Sequence, residues 1–466
     1  MSSSYPYPNP SKSFWIEEGP NHLKNHHTTD ILPNEIDVVI IGSGYSGTSV
    51  ASNLLLNKNS LLHKKPSVLM LEARDVCSGA TGRNGGHIRS FYHGAHKHFV
   101  DKVGEKMAAE LVMFEHNELI KVKNLTEKYD IECNFDPRQS CQTCEDPALY
   151  GECLDNFYAF QNNKYIPQNV KDYIKIHFFP ESQNISEHKS SPFCITAPTC
   201  SIWPYKLIIA LLQKCIDLGL NLQTYTPVLS LKPTNDHKWM VTTSKGTVKC
   251  NKVVCATNAW TRALLPEFNS KIVPVKGVVS HIKPLNENPG KLKFNYYHTF
   301  PEESDYVTAH KDMSMIVGGG GSAYLNYPNS LTMYNNLDDS FIATDVFDYF
   351  KDYPNKYYPD FAKGLKFVND YTWTGCMAYT NDEFPFVGDM SKFGRKNLYI
   401  IAGFTGHGMP RIWSCGEYIS GLVDGSNRGN IPEVFKITID RMYSKKFGLF
   451  DHLTAWDNKN RGQFKL

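Results

Sequence analysis

Ile36-Asp37-Val38-Val39-Ile40-Ile41-Gly42-Ser43-Gly44-Tyr45-Ser46-Gly47 is the stretch that decides the fold. An unbroken apolar run ending at glycines reads as a buried parallel strand entering a tight turn. Gly42, Gly44 and Gly47 stand at G-x-G-x-x-G spacing. The first makes the turn, the second admits a pyrophosphate close to the backbone, and the third lets the next helix pack on the strand. That helix opens near Tyr45, so the free N–H groups around Ser43 to Ser46 face the phosphates. A second strand, Ser67-Val68-Leu69-Met70-Leu71, delivers Glu72, an acid placed to hydrogen-bond a ribose hydroxyl. The gap from Gly47 to Glu72 exceeds the usual ~20 residues, and the polar stretch from Asn57 to Lys65 accounts for the excess as a loop. Strand, turn, helix, strand and closing acid together point to a bound dinucleotide.

The rest of the chain sets bounds on this reading. Its 466 residues suit two or three domain-sized units. A net charge of +2 gives no electrostatic case for nucleic acid or an anionic membrane. No apolar run reaches the ~18 residues of a membrane span. Met1 to Asn34 is polar and punctuated by prolines, lacks the apolar core of a signal peptide, and reads as an extended arm over the domain surface. The end, Phe464-Lys465-Leu466, is similar to a peroxisomal S-K-L address, with Phe464 in place of the small residue. A cytoplasmic protein is expected, with a peroxisome as the alternative. The twelve cysteines are scattered, as in a reduced cytosolic protein. Cys133, Cys141, Cys144 and Cys153 cluster, but no second C-x-x-C or H-x-x-x-H pair lies near, so they read as free thiols in a polar loop and no metal is expected.

After Glu72 the chain runs Ala73-Arg74-Asp75-Val76-Cys77-Ser78-Gly79-Ala80-Thr81-Gly82-Arg83-Asn84-Gly85-Gly86-His87-Ile88-Arg89. So many small residues cannot build a core, but they let backbone lie flat against something rigid and planar. His98 to Tyr129 has helical spacing, with Met107, Leu111, Phe114, Leu119 and Val122 inward. Asp130 to Ser191 reads as polar and irregular. A helix follows from Trp203 to Ile216, then strands at Leu220 to Thr224 and Thr226 to Leu231, and a hairpin across Lys245-Gly246. Lys252-Val253-Val254-Cys255-Ala256-Thr257-Asn258-Ala259-Trp260 repeats the opening logic, a buried strand carrying small residues to the same edge. Lys271 to Leu325 reads as antiparallel strands ending at the Gly318–Gly321 run. Asp338 to Tyr353 reads as a helix with Phe341, Ile342, Val346, Phe347 and Phe350 inward. A mainly antiparallel second domain is therefore inserted between pieces of the first.

Two further stretches, Trp373 to Pro385 and Leu398-Tyr399-Ile400-Ile401-Ala402-Gly403-Phe404-Thr405-Gly406-His407-Gly408-Met409, complete a set of motifs. Together with the glycine fingerprint and the Ser78 to Gly86 block, the chain resembles the D-amino-acid-oxidase-like family of FAD-dependent oxidoreductases, from about Ile36 to Val423. Within it the nearest likenesses are fungal members, gamma-glutamylputrescine oxidase and monomeric sarcosine oxidase. The resemblance implies an α/β fold, α+β overall, in which a Rossmann-like FAD-binding domain (36–100, 196–265 and 370–430) carries an inserted, mainly antiparallel substrate domain (101–195 and 266–369). An arm (1–35) and a tail (431–466) flank them. It implies FAD over Gly42, Ser43, Gly44, Tyr45, Ser46 and Gly47, with ribose on Glu72 beside Ala73 and Arg74. The flavin ring is expected between Ser78, Ala80, Thr81, Arg83, Asn84, Gly85, Gly86 and His87 on one side and Gly403, Thr405, Gly406, His407, Gly408 and Met409 on the other. Val228 matches the adenine-side contact, and Ala256, Thr257 and Trp260 complete the cofactor wall. Cys376, in Cys376-Met377-Ala378-Tyr379-Thr380, stands near the place where sarcosine oxidases attach flavin through a thioether, with one extra residue before Tyr379; a buried, unreacted thiol is the alternative.

The same resemblance implies oxidation of an amine or amino acid by hydride transfer to flavin, followed by hydrolysis of the imine. Arg89 falls where relatives clamp a substrate carboxylate, and Arg411 lies one residue past the place of their second cation, held here by Pro410. The relatives' oxygen-activating lysine is missing, since its place falls at Ile316-Val317-Gly318; Lys276 or His407 is left to supply positive charge. His87 and His407 are candidate proton carriers. Reduced flavin would pass its electrons to oxygen, giving peroxide, or, in a dehydrogenase, to another acceptor. A flavoprotein whose catalysis is lost and whose role is interaction is the remaining alternative. The partners expected are a small-molecule substrate and an electron acceptor, on a monomer or small homo-oligomer.

Overall fold

The computed structural model describes residues 5–56, 65–90, 94–187, 191–286, 292–300, 304–324, 330–342 and 344–444. The Phe464-Lys465-Leu466 motif and most of the loop after Asn57 lie outside the described residues. Two sheets organise the chain. The first has the order Phe386–Asp389, Leu398–Ala402, Gly246–Cys255, Glu35–Ile41, Val68–Leu71, Leu220–Gln223. Its five strands from Leu398–Ala402 to Leu220–Gln223 are mutually parallel, and Phe386–Asp389 closes one edge antiparallel. Val228–Pro233 and Trp239–Thr243 extend the start of the Gly246–Cys255 strand as an antiparallel ribbon.

Alternation explains why the opening strand is apolar without a break from Val38 to Ile41. Val38, Ile40, Val68 and Met70 point into one core, built with the helices Tyr45–Leu55, Pro204–Asp217 and Ile412–Asp424. Ile36, Val39, Ile41, Leu69 and Leu71 point into a second core on the other face, with Phe268, Ile272 and Phe386. Where the strand is covered on both faces, from Val38 to Ile41, every side chain is apolar, and each contributes about 1.5–3 kcal/mol on burial. Asp37, nearer its open end, accepts from Ser67 N–H (2.9 Å) and Oγ (2.7 Å) instead.

The second sheet is mainly antiparallel, in the order Phe367–Thr380, Ile272–Pro284, Met315–Gly319, Asp305–Ala309, Asn295–Thr299, Asp136–Cys144, Phe193–Ser201, His87–Arg89, with Lys175–Phe178 beside Phe193–Ser201. Asn295–Thr299 and Asp136–Cys144 make its parallel step. Its longest pair, Ile272–Pro284 with Phe367–Thr380, stays in register from Ile272–Thr380 to Pro284–Phe367, with one irregularity at His281/Ile282. His87–Arg89 belongs to this sheet, so the small-residue stretch that begins at Glu72 bridges the two sheets.

Several expectations are corrected. Asp130 to Ser191 is not irregular: it holds the strand Asp136–Cys144, the helix Tyr150–Asn162 and the strand Lys175–Phe178. Cys141, Cys144 and Cys153 are accordingly buried in packed elements, and Cys133 is buried in the connection before the first of them, so none is set in a polar loop. Among the described residues no group of three or more His, Cys, Asp or Glu could hold a metal ion. The single helix expected from His98 to Tyr129 is two, His96–Val103 and Glu105–Lys128, broken where Gly104 takes φ +83°. The helix expected from Asp338 starts only at Thr344, because Asp339 is drawn into a buried ion pair; Phe341 and Phe347 face solvent. The amino-terminal segment is not only an extended arm over the domain surface, since Ser13, Trp15 and Leu23 are buried. No helix among the described residues is long and apolar enough to cross a membrane.

Candidate active site

A cavity of ≈ 670 Å³ opens at the carboxyl ends of the parallel strands, against Ile41, Leu71 and Ala256, and continues to the second sheet at Gly277, Gly375 and Met377. Ligands of open α/β sheets bind outside these strand ends.

At the first end the glycine turn leaves no room for side chains. Gly42 has φ +106°, and a Cβ at Gly47 would collide with the Gly42 carbonyl oxygen. Glu72 closes the turn: its Oε2 accepts from Ser43 N–H (3.0 Å) and Ser43 Oγ (2.8 Å), and its Oε1 accepts from Arg74 N–H (3.0 Å). Gly42, Gly44, Tyr45, Ser46, Glu72, Ala73 and Val228 line the cavity. Ser43 and Gly47 stand behind this wall, one aiming the acid and the other seating the helix. Ala256, Thr257 and Trp260 continue the lining, and Trp260 Nε1 is buried with no hydrogen-bond partner among the described residues. A glycine cradle free of side chains at a helix N-terminus, a strand-end carboxylate and an orphaned indole N–H suit the phosphates, ribose and polar edges of a dinucleotide.

The small-residue stretch forms the middle of the cavity. Ser78, Gly79, Ala80, Thr81, Arg83, Asn84, Gly85, His87 and Arg89 line it. Thr81 Oγ1 accepts the Tyr45 N–H (2.9 Å), which ties this turn to the first helix. The guanidinium of Arg74 is engaged elsewhere, donating to both Asp339 oxygens (2.9 and 3.0 Å) and to Ser78 O. Arg83 donates to Ser78 O, Thr374 O and Ser11 O, and burial lowers its pKa to about 10. Gly86 packs away from the cavity on the Trp15 ring, and Gly403 packs at φ +80° on Thr380.

At the far end stand Thr405, Gly406, His407, Gly408, Met409 and Arg411, facing His87, Arg89, Tyr297 and Tyr306. Lys276 and Cys376 are not brought to the cavity. Lys276 Nζ donates to Phe341 O (3.2 Å), and Cys376 Sγ points to Asn336 O (3.9 Å). Burial pushes the Cys376 thiol up to about 12 and Lys276 below the usual lysine range.

The chain from Asp37 to Leu422 matches the family model described as FAD dependent oxidoreductase (DAO). The protein belongs to the DAO family of FAD-dependent oxidoreductases. Members of this family bind FAD, and the cavity described above suits it. Relatives share 22% identity (a probable oxidoreductase OrdL of Haemophilus influenzae, 89% of this chain and 90% of that protein) and 24% (a gamma-glutamylputrescine oxidoreductase of Escherichia coli, 84% of each). The glycine oxidase of Geobacillus kaustophilus has a similar fold, with a TM-score of 0.69 at 16% identity over 87% of this chain and 99% of that one.

Within this DAO protein the electrostatics of the far end were only partly foreseen. Arg89 lies buried with its guanidinium 3.8 Å from the centre of the Tyr297 ring and donates to Gln142 Oε1 (3.2 Å). His87 shares a hydrogen bond with Thr308 Oγ1 (3.0 Å), and burial, with Arg89 beside it, lowers its pKa to about 3. His407 Nε2 lies 3.0 Å from Glu115 Oε1; burial still pulls its pKa below the usual range, against the pull of Glu115. Arg411 donates Nε to the same oxygen at 2.7 Å, so both arginines expected to clamp a carboxylate line the cavity, with Arg411 paired to Glu115. Glu118, one turn on, accepts from Ser414 N–H and Oγ, and burial raises its pKa to about 7. Glu115 and Glu118 had a signal in the sequence. Leu111, Glu115, Glu118 and Val122 share one face of the Glu105–Lys128 helix, and acids on an apolar stripe require partners.

Proposed function

We propose that the protein oxidises the C–N bond of a carboxylate-bearing amine or amino acid to an imine. FAD, when bound, would supply the acceptor for the hydride and its two electrons. Arg89 supports the carboxylate: a guanidinium held in a cavity wall by an aromatic ring and an amide oxygen presents its donors with little loss of side-chain freedom. His87 and His407 are both held toward the neutral form, so the amine end lies among uncharged imidazoles and binds deprotonated, ready to release hydride from its α carbon. Gly406, Gly408 and Met409 line the far end of the cavity, where backbone N–H groups would stabilise negative charge on the cofactor; the His407 N–H is already donated to Phe404 O (2.9 Å). Orientation and exclusion of water supply the rest of the rate, without an indispensable general base. Water then converts the imine to a carbonyl compound and ammonia or a smaller amine. The names of the E. coli and G. kaustophilus relatives support a C–N bond as the point of attack.

Oxygen is the proposed electron acceptor, with hydrogen peroxide as product. A second reading, a dehydrogenase with another acceptor, has its own support: among the described residues no lysine lines the cavity. Anaerobic reduction by substrate followed by admission of air separates the two. Prompt reoxidation with a stoichiometric yield of peroxide supports the oxidase, and a lasting reduced state supports the dehydrogenase.

A further inference from the structure

We infer that the amino-terminal segment from Tyr5 to Glu17 belongs to the flavin site, with Ser11, Ser13 and Trp15 as positioning residues that fix the Gly82–Asn84 turn and so govern retention of FAD. The contacts alternate along the segment. Arg83 Nη2 donates to Ser11 O (2.7 Å) and Arg83 Nη1 to Ser11 Oγ (3.2 Å). Ser13 Oγ donates to Gly82 O (2.6 Å), and Trp15 Nε1 donates to Asn84 O (2.7 Å). Three successive residues of the turn are thus each held by one of three alternate residues of the segment. Gly86 has no room for a side chain because a Cβ there would meet the Trp15 ring; at Gly82 a Cβ would meet the Cys77 carbonyl oxygen first and Ile16 next.

The opposite side of that turn is cavity wall. Thr81 caps the helix that receives the pyrophosphate, and Asn84 and Gly85 face the inside. Upstream the segment reaches the other end of the site: Tyr5 and Pro6 line the cavity, Tyr5 OH donates to Leu229 O (3.1 Å), and Tyr7 O accepts from Arg74 Nη1 (3.0 Å). The segment therefore closes the dinucleotide end and braces the flavin end from behind. Trp15 is fully buried, and an aromatic anchor of this size gives the brace its rigidity. Because coupling between two sites is reciprocal, FAD must tighten the segment as much as the segment tightens FAD.

The test is hydrogen exchange on the full-length protein, with FAD removed and then restored. Backbone amides of residues 11–17 should exchange at least tenfold more slowly with FAD bound; equal rates in the two forms would overturn the inference. In parallel, Trp15→Phe keeps an aromatic side chain, smaller than the indole, and removes the N–H donor. With Ser13→Ala it should weaken FAD binding at least tenfold, read by flavin fluorescence, and Ser13→Thr in place of Ser13→Ala should recover the share of the loss due to residue 13. Unchanged affinity in a variant that melts earlier as apoprotein would reduce the segment to a structural role and overturn the inference. Failure of the parent protein to bind FAD would instead strike at the family's cofactor, a separate outcome.

Discussion

Lys276 and Cys376 are register partners across the Ile272–Pro284 and Phe367–Thr380 strands, and neither side chain enters the cavity. Their neighbours Gly277, Gly375 and Met377 line it. A strand alternates its side chains, so a position one residue off serves the opposite face. The FAD is therefore expected to be held without a thioether. Acid or heat denaturation should release all the yellow colour into the supernatant, and Cys376→Ser should leave the flavin spectrum unchanged. Colour that stays with the precipitated chain would contradict this.

The Arg74–Asp339 pair joins the stretch after Glu72 to the chain before the Thr344–Phe350 helix, and Arg83 lies near the same carboxylate at 3.8 Å. Removing one partner of a buried pair leaves an uncompensated charge, at a cost of about 3–5 kcal/mol. Asp339→Asn should lower unfolding stability by that amount in urea titration. A loss under ~1 kcal/mol would mean that water reaches the guanidinium and the pair is in effect exposed.

Arg89→Gln should lower kcat/KM for carboxylate-bearing substrates about 100-fold, or roughly 3 kcal/mol, chiefly through KM. Decarboxylated analogues should lose little, and FAD content should be unchanged. Equal losses on both substrate types would assign Arg89 to the cofactor.

His96 is buried against Asn163 and Phe160, and burial, aided by Lys171, lowers its pKa to about 4. The unfolded chain takes up its proton first, near pH 6.5. Stability from this group is thus complete above pH 6.5 and is lost as pH falls toward 4, by up to about 3 kcal/mol at ~1.4 kcal/mol per unit. Urea titrations between pH 7 and pH 4 should show the slope, and His96→Gln should reduce it by that amount, leaving the part that His87 contributes.

What was legible in the sequence is what local chemistry determines. The strand from Ile36, the turn at Gly42 and the acid at Glu72 each follow from residues close in the chain, and the motif order placed the cavity's two ends. The strands between Asp130 and Ser191 were hidden because Asp136–Cys144 owes its form to partners at Phe193–Ser201 and Asn295–Thr299, far along the chain. Asp338 to Tyr353 carries a helical pattern, yet the Arg74 and Arg83 guanidinium groups take Asp339 out of it. Lys276 and Cys376 were misplaced because a sequence shows which residues stand on a strand but not which face meets the cavity. Trp15 looked like part of a surface arm, since only the folded chain brings it against Asn84.

The central claim, a flavin reduced by a carboxylate-bearing amine, is tested most directly by the visible spectrum of the purified protein under anaerobic conditions. A panel of amines and amino acids, each with its decarboxylated counterpart, should include compounds that bleach the flavin band, with the carboxylated member of the pair acting at lower concentration. A yellow protein that no amine or amino acid bleaches, or one bleached equally well by both members of every pair, would contradict the account.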